Sequence, residues 1–149
     1  MAEIISEVLT FLKSQGSKLD KKFIELILKR LESFSYVVKE TDTFVVGFSI
    51  VKVENKIKNA CNTTLLPDGL KITAVDMICG EFLYSLKQTG KLNETFDFEM
   101  AVKQIQTGDT NVTFAVESSQ TPEQKLNAFL SYLITKGEGE LICYRKVKW

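Results

Sequence analysis

Apolar residues recur at helical spacing along most of this chain, and each run stops at a residue suited to ending a helix. Over residues 2–15, Ile5, Val8, Leu9 and Leu12 form one stripe, with lysine, serine and glutamate opposite. Gly16 follows as a C′ glycine would. Ser17, with Asp20 three residues on, reads as a weak capping box opening a second helix. Its stripe is Phe23, Ile27, Leu31 and Phe34, broadened by Ile24, Leu26 and Leu28. Two short amphipathic helices joined this tightly are expected to pack antiparallel. Residues 36–40 read as an extended linker, and Asp42 as the N-cap of a third helix.

In that third helix Val46, Ile50, Val53, Ile57 and Ala60 recur at steps of three and four, ending near Cys61. Phe44, Val45 and Phe48 widen its first turn into a surface expected to be buried on two sides. Residues 62–66 form a turn, and Pro67 suits the first position of the next helix. There Leu70, Ala74, Ile78, Phe82 and Leu86 step by four, with Val75, Cys79 and Leu83 one residue behind. A helix apolar around most of its girth belongs at the centre of a bundle. Gly90 stops it.

The pattern changes over residues 91–120. Phe96 and Phe98 suit a short turn, then Lys103, Ile105 and Thr107 precede the alternating Val112, Phe114 and Val116, which predict an extended β-like arm or hairpin. Thr121-Pro122-Glu123-Gln124 is the clearest helix start in the chain, with an N-cap, a first-turn proline and a returning glutamine. Leu126, Phe129, Leu130, Leu133 and Ile134 are the stripe of that helix, and Gly137 closes it. The remaining Leu141 to Trp149 reads as a strand or extended tail. The expected fold is mainly α: a small bundle of about five helices with an extended β-like arm or hairpin and an extended C-terminal tail. Its 149 residues suit a single domain. Within it lie an N-terminal helical pair (1–35), core helices (42–90), the arm (91–120), a last helix (121–136) and the tail (140–149).

Charge narrows the function. Nineteen basic residues balance nineteen acidic ones, so no basic excess is present to grip nucleic acid. The balance is uneven: residues 91–120 hold two lysines against five acids, and residues 121–149 five basic residues against three acids. Such patches either face solvent or order neighbouring copies head to tail. Lys52, Lys56 and Lys58 read as a solvated helix side, being separated by Glu54 and without aromatic backing. Cys61, Cys79 and Cys143 are three, widely spaced and unaccompanied by any histidine, so they read as buried thiols in a reducing compartment. No signal peptide or membrane span is expected.

The search for chemistry returns no catalytic site, no cofactor site and no metal site. Without histidine there is no Ser–His or Cys–His nucleophile, and the commonest general base is missing. Gly137-Glu138-Gly139-Glu140 carries acids where a phosphate loop would need uncompensated backbone donors. Asp76 and Glu81, the two carboxylates of the central helix, point in different directions five residues apart; they read as structural groups paired with a lysine or arginine.

Residues 42–90 resemble the core of head–tail connector proteins of long-tailed bacteriophages and related prophage elements. The likeness rests on Phe44-Val45-Val46-Gly47-Phe48-Ser49-Ile50 through Ile57-Lys58-Asn59-Ala60-Cys61-Asn62, the turn Leu66-Pro67-Asp68-Gly69-Leu70, and Val75-Asp76-Met77-Ile78-Cys79-Gly80-Glu81-Phe82-Leu83. Gly108-Asp109-Thr110-Asn111-Val112-Thr113-Phe114 is similar to a stretch on the arm of these proteins, and Cys143-Tyr144-Arg145-Lys146-Val147-Lys148-Trp149 to their ends. The resemblance implies a structural virion protein, made in the host cytoplasm, that assembles as a ring of usually twelve copies below the portal. Such a ring extends the DNA channel, lets DNA pass without specific binding, and offers a platform to the next neck or tail protein. It also implies portal docking through the C-terminal segment, here Leu141, Ile142, Cys143, Tyr144, Arg145, Lys146, Val147, Lys148 and Trp149. Residues Gly108, Asp109, Thr110, Asn111, Val112, Thr113 and Phe114 would then contact a neighbouring copy or line the channel.

From the residues alone, the tail either packs on its own domain or adds a strand to another protein's sheet edge. The alternatives for the whole chain are a tail-completion or stopper protein of the neck, a class that is usually β-rich, and a cytosolic helical binding module outside any phage.

Overall fold

A computed structural model describes residues 2–92 and 122–144 of the chain. Among the described residues the fold is mainly helical, in chain order α1 (Ala2–Ser14), α2 (Lys21–Ser33), α3 (Thr43–Cys61), α4 (Lys71–Gln88), α5 (Pro122–Thr135) and a short α6 (Glu138–Cys143). Single 3-10 turns at Glu40–Asp42 and Asp68–Leu70 lead into α3 and α4. No strand occurs among the described residues. The expected arm, with Gly108 to Phe114, and the tail residues Arg145 to Trp149 lie outside them.

Helix ends follow local chemistry closely. At the end of α1, Gly16 adopts φ +78°, the Ser17 amide donates to the Leu12 carbonyl at 3.0 Å, and the Gly16 amide donates to Lys13 at 3.1 Å. This is the Schellman pattern, which needs a left-handed residue and favours glycine. Gly90 repeats it after α4 at φ +72°, with the Lys91 amide on the Leu86 carbonyl at 2.8 Å. The end of α2 makes the same two bonds around Ser35 at φ +67°, where no glycine signals it.

Four local expectations are corrected. Ser17 does not open α2; Asp20 does, its carboxylate accepting from the Phe23 amide at 3.0 Å. Ser17 instead donates to Glu54 on α3 at 3.1 Å. Asp42 stands at the N-cap position of α3 but offers that helix no side-chain bond. Its carboxylate turns back to accept from the Tyr36 hydroxyl (2.8 Å) and the Lys39 amide (3.0 Å), closing the 3-10 turn. Pro67 is not the first residue of α4: at ψ 138° it is extended and precedes the turn Asp68–Leu70, so α4 begins at Lys71. Helix α5 does end just before Gly137, at Thr135, and Gly137 then stands at the N-cap position of α6. Leu141 to Cys143, read as the start of an extended docking tail, are helical. Leu141 is buried there, and its carbonyl accepts from the Cys61 thiol.

The apolar stripes assemble one core. Eleven of the eighteen residues of α4 are buried, which places it at the centre as its all-round apolarity predicts. It packs against α2, α3 and α5, while α1 covers α2 and α3, and α6 lies on α3. Gly80 lets α5 come close: a Cβ there would stand 2.8 Å from the Leu133 Cβ and 3.2 Å from the Ile134 amide nitrogen. Phe34 meets Phe129 edge-on at 5.5 Å, and Tyr36 meets Phe82 in the same way at 5.5 Å. Among the described residues no helix is long and apolar enough to cross a membrane.

Candidate protein–protein interface

Large apolar side chains are exposed at several points of the described surface, Val37, Leu65 and Tyr84 among them, and three places bring such side chains together with other features. On α3, Phe44 and Phe48 are one helical turn apart and therefore share a face. Their rings stack at 6.1 Å, and Phe11 of α1 meets Phe44 edge-on at 5.7 Å. Phe11 sits in the notch left by Gly47, where a Cβ would come within 2.6 Å of its ring. Phe44 is nevertheless 65% exposed and Phe48 54%. The expectation that both would be buried on two sides is corrected: Val46 and Ile50 take the core side of this turn, leaving the phenylalanines outside. Ala60 is likewise exposed, the core position at that end going to Cys61.

Between α2 and α4 runs a shallow cleft of about 320 Å³, lined by Leu26, Lys29, Arg30, Ser33, Ile72, Val75 and Asp76. Its apolar wall includes Leu26, which the stripe of α2 had assigned to the core, and Ile72, 67% exposed. Asp76 at its base is buried and bonded to two cations, Arg30 at 2.7 Å and Lys136 at 2.6 Å. Arg30 also lies over the Phe34 ring, 4.6 Å from its centre. One carboxylate thus fastens α2, α4 and the end of α5 together.

The third place is the root of the tail. Glu140 accepts from the Thr73 hydroxyl at 2.7 Å, and Glu138 stands 3.6 Å from Lys56. Tyr144 packs over Gly69 in the turn before α4. Ile142, on the outer side of α6, is 74% exposed.

Of the predicted docking residues, the structure places Leu141, Ile142, Cys143 and Tyr144 at this corner; Leu141 belongs to the core and Ile142 to the surface. Lys52, Lys56 and Lys58 each meet an acid, respectively Glu81 (3.1 Å), Glu138 (3.6 Å) and Glu54 (3.7 Å). Asp76 and Glu81 are both held by basic residues, as their lack of a catalytic partner suggested. Cys61 and Cys79 are free and buried, and burial pushes the Cys79 thiol well above its ordinary pKa, away from a reactive thiolate. Burial and the neighbouring Asp42 raise the Tyr36 hydroxyl strongly in the same sense. Among the described residues no group of three or more histidine, cysteine, aspartate or glutamate side chains could hold a metal ion.

Sequence reasoning missed Ile72 and the outward setting of Phe44 and Phe48. One signal could have found them: each is an apolar position off the main stripe of its helix. In comparisons with protein families, with curated proteins and with solved structures, the chain finds no match.

Proposed function

We propose that this chain is a structural subunit of a bacteriophage neck, a head–tail connector that forms a ring below the portal and has no catalytic role. One observation carries the reading. Residues 42–90, where the resemblance to connectors is concentrated, coincide with α3, its turn and the central α4, and α3 leaves its stacked phenylalanines in water. An exposed apolar patch on a folded body marks a surface that another protein covers. In a ring every subunit offers the same patch, and sister copies complete it. Mainly helical structure favours a connector over a β-rich stopper.

In this reading α6 anchors the tail, and Arg145 to Trp149 continue from the Tyr144–Gly69 corner to the portal. Residues Gly108 to Phe114 contact a neighbouring copy or line the channel. Net neutrality suits a channel through which DNA slides without being gripped.

Mixing the purified chain with its cognate portal protein and imaging by electron microscopy tests the proposal. Rings, or a collar on the portal, are expected; a chain that stays monomeric and leaves the portal bare would return the reading to a helical binding module. A chain truncated after Tyr144 keeps Leu141 in the core and is expected to fold but not dock. Docking that survives the truncation would contradict the tail assignment.

A further inference from the structure

We infer that α6 is a strap that opens as a unit beyond Gly137, uncovering Cys61 and releasing residues 138–144, while the body formed by α1–α5 stays folded. The inference stands apart from the connector reading and needs no particular partner.

Helix α6 does not hold itself. It has six residues, well below the ~12–15 at which an isolated helix becomes even marginal in water. One of them is Gly139, a weak helix former, and a Cβ there would meet open space, so no packing demands the glycine. What keeps α6 closed is therefore its seat on the body. Among its described side chains only Leu141 is buried, against eleven buried residues in α4. The other fastenings are few and lie at the edge. The Thr73 hydroxyl donates to Glu140, Lys56 stands 3.6 Å from Glu138 with both side chains well exposed, and Tyr144 packs over Gly69. An exposed ion pair contributes little. A segment with one buried side chain and solvated polar contacts opens far more often than a core helix.

The chain is pinned up to the point where the strap begins. Lys136 is bonded to the buried Asp76 at 2.6 Å, and the Gly137 backbone lies so close to Thr73 that a Cβ would collide with its methyl group. Beyond Gly137 the hold passes to Leu141. Under the strap lies Cys61, wholly out of water at the end of α3, its thiol donating to the Leu141 carbonyl at 3.4 Å. The Cys79 thiol is equally out of water but sits inside the body, donating from α4 to the Ile27 carbonyl of α2 at 3.9 Å. The two buried thiols therefore report two different events: Cys61 the opening of α6, Cys79 the unfolding of the body. Leu141 belongs to the core while the strap is closed and to the C-terminal segment while it is open. Opening thus sets how much of that segment a partner can take.

Thiol labelling of the reduced, full-length chain with excess maleimide, each cysteine read separately by peptide mass, tests the strap. Cys61 is expected to react at least tenfold faster than Cys79 in buffer, and the Cys79 rate to rise more steeply with urea, because unfolding the body exposes more surface. Equal rates with equal urea dependence would overturn the inference, since Cys61 would then be reached only by global unfolding. Gly139→Ala strengthens α6 alone and should slow Cys61 labelling about two- to fivefold. No slowing would place the opening in the end of α3 or the turn after it, and the strap would be wrong. Leu141→Ala should speed Cys61 labelling at least tenfold while circular dichroism retains the helices of the body. Loss of those helices together with α6 would make α6 part of one cooperative unit and overturn the strap as well.

Discussion

In the core, Phe34 meets Phe129 and Tyr36 meets Phe82, both edge-on at 5.5 Å, with the three phenylalanines wholly out of water. On the α1–α3 surface, Phe11 meets Phe44 edge-on at 5.7 Å and Phe44 stacks on Phe48 at 6.1 Å, yet Phe44 and Phe48 remain more than half exposed. Ring spacing is similar in the two clusters. What separates them is whether the chain supplies atoms on every side. The inner cluster is closed by α2, α4 and α5, whereas the outer one is closed on one side only. At about 25 cal/mol per Å², covering two half-exposed phenylalanines is worth roughly 5 kcal/mol before the cost of association. The inner cluster thus stabilises the folded chain, and the outer one leaves more than half of Phe44 and Phe48 in water.

The two clusters should respond to mutation in opposite ways. The largest expected effect is Phe129→Ala, which empties a fully buried site and should cost about 3–5 kcal/mol in chemical denaturation. Next is Asp76→Ala, which strands Arg30 and Lys136 beside the core. Breaking a buried pair costs about 3–5 kcal/mol, and water reaching these two cations should reduce that to about 2. Phe44→Ser with Phe48→Ser should shift stability by no more than about 0.5 kcal/mol per site while abolishing assembly. A loss of stability as large as that of Phe129→Ala would erase the contrast between the clusters. Smallest, Ser35→Gly relieves a left-handed serine and should stabilise by about 0.5–1 kcal/mol.

A pH series sharpens the inner side of the comparison. Tyr36 holds its proton more tightly when folded than when unfolded, since burial and Asp42 both oppose the phenolate. Below its ordinary value of 10.0 both states are protonated and the full stabilisation is present. Above it the unfolded chain loses the proton first and stability falls as pH rises. Cys79 acts in the same sense from its ordinary value of 9.0 upward. Thermal midpoints should therefore decline above about pH 9, and Tyr36→Phe should flatten the upper part of that decline.

The comparison also shows what a single sequence could tell. The stripes of α1, α2 and α4 and the ends at Gly16 and Gly90 were legible because each depends on spacing and on one residue's backbone preference. Ser17 misled because Asp20 also caps, and the choice between them turned on a distant partner, Glu54 on α3. The left-handed Ser35 had no glycine to announce it. Asp42 was legible as an N-cap by position but not as the partner of Tyr36, a contact that depends on how residues 36–42 fold back. Leu141 to Cys143 are three apolar residues in a row, which a strand would also accept, yet the Thr73–Glu140 bond and the seat for Leu141 against Cys61 are compatible with a helical turn. On the α1–α3 surface, pattern alone marked Phe44 and Phe48 as apolar; only the packing of α1 on α3 set which of their sides faces water.

The most direct measurement is the mass of the full-length chain in solution, by sedimentation or mass photometry, across rising concentration with and without portal protein. The account predicts a discrete ring-sized species, promoted by the portal and lost in the Phe44→Ser, Phe48→Ser double variant although that variant remains folded. A monomer at every concentration, with portal present and both phenylalanines intact, would contradict it.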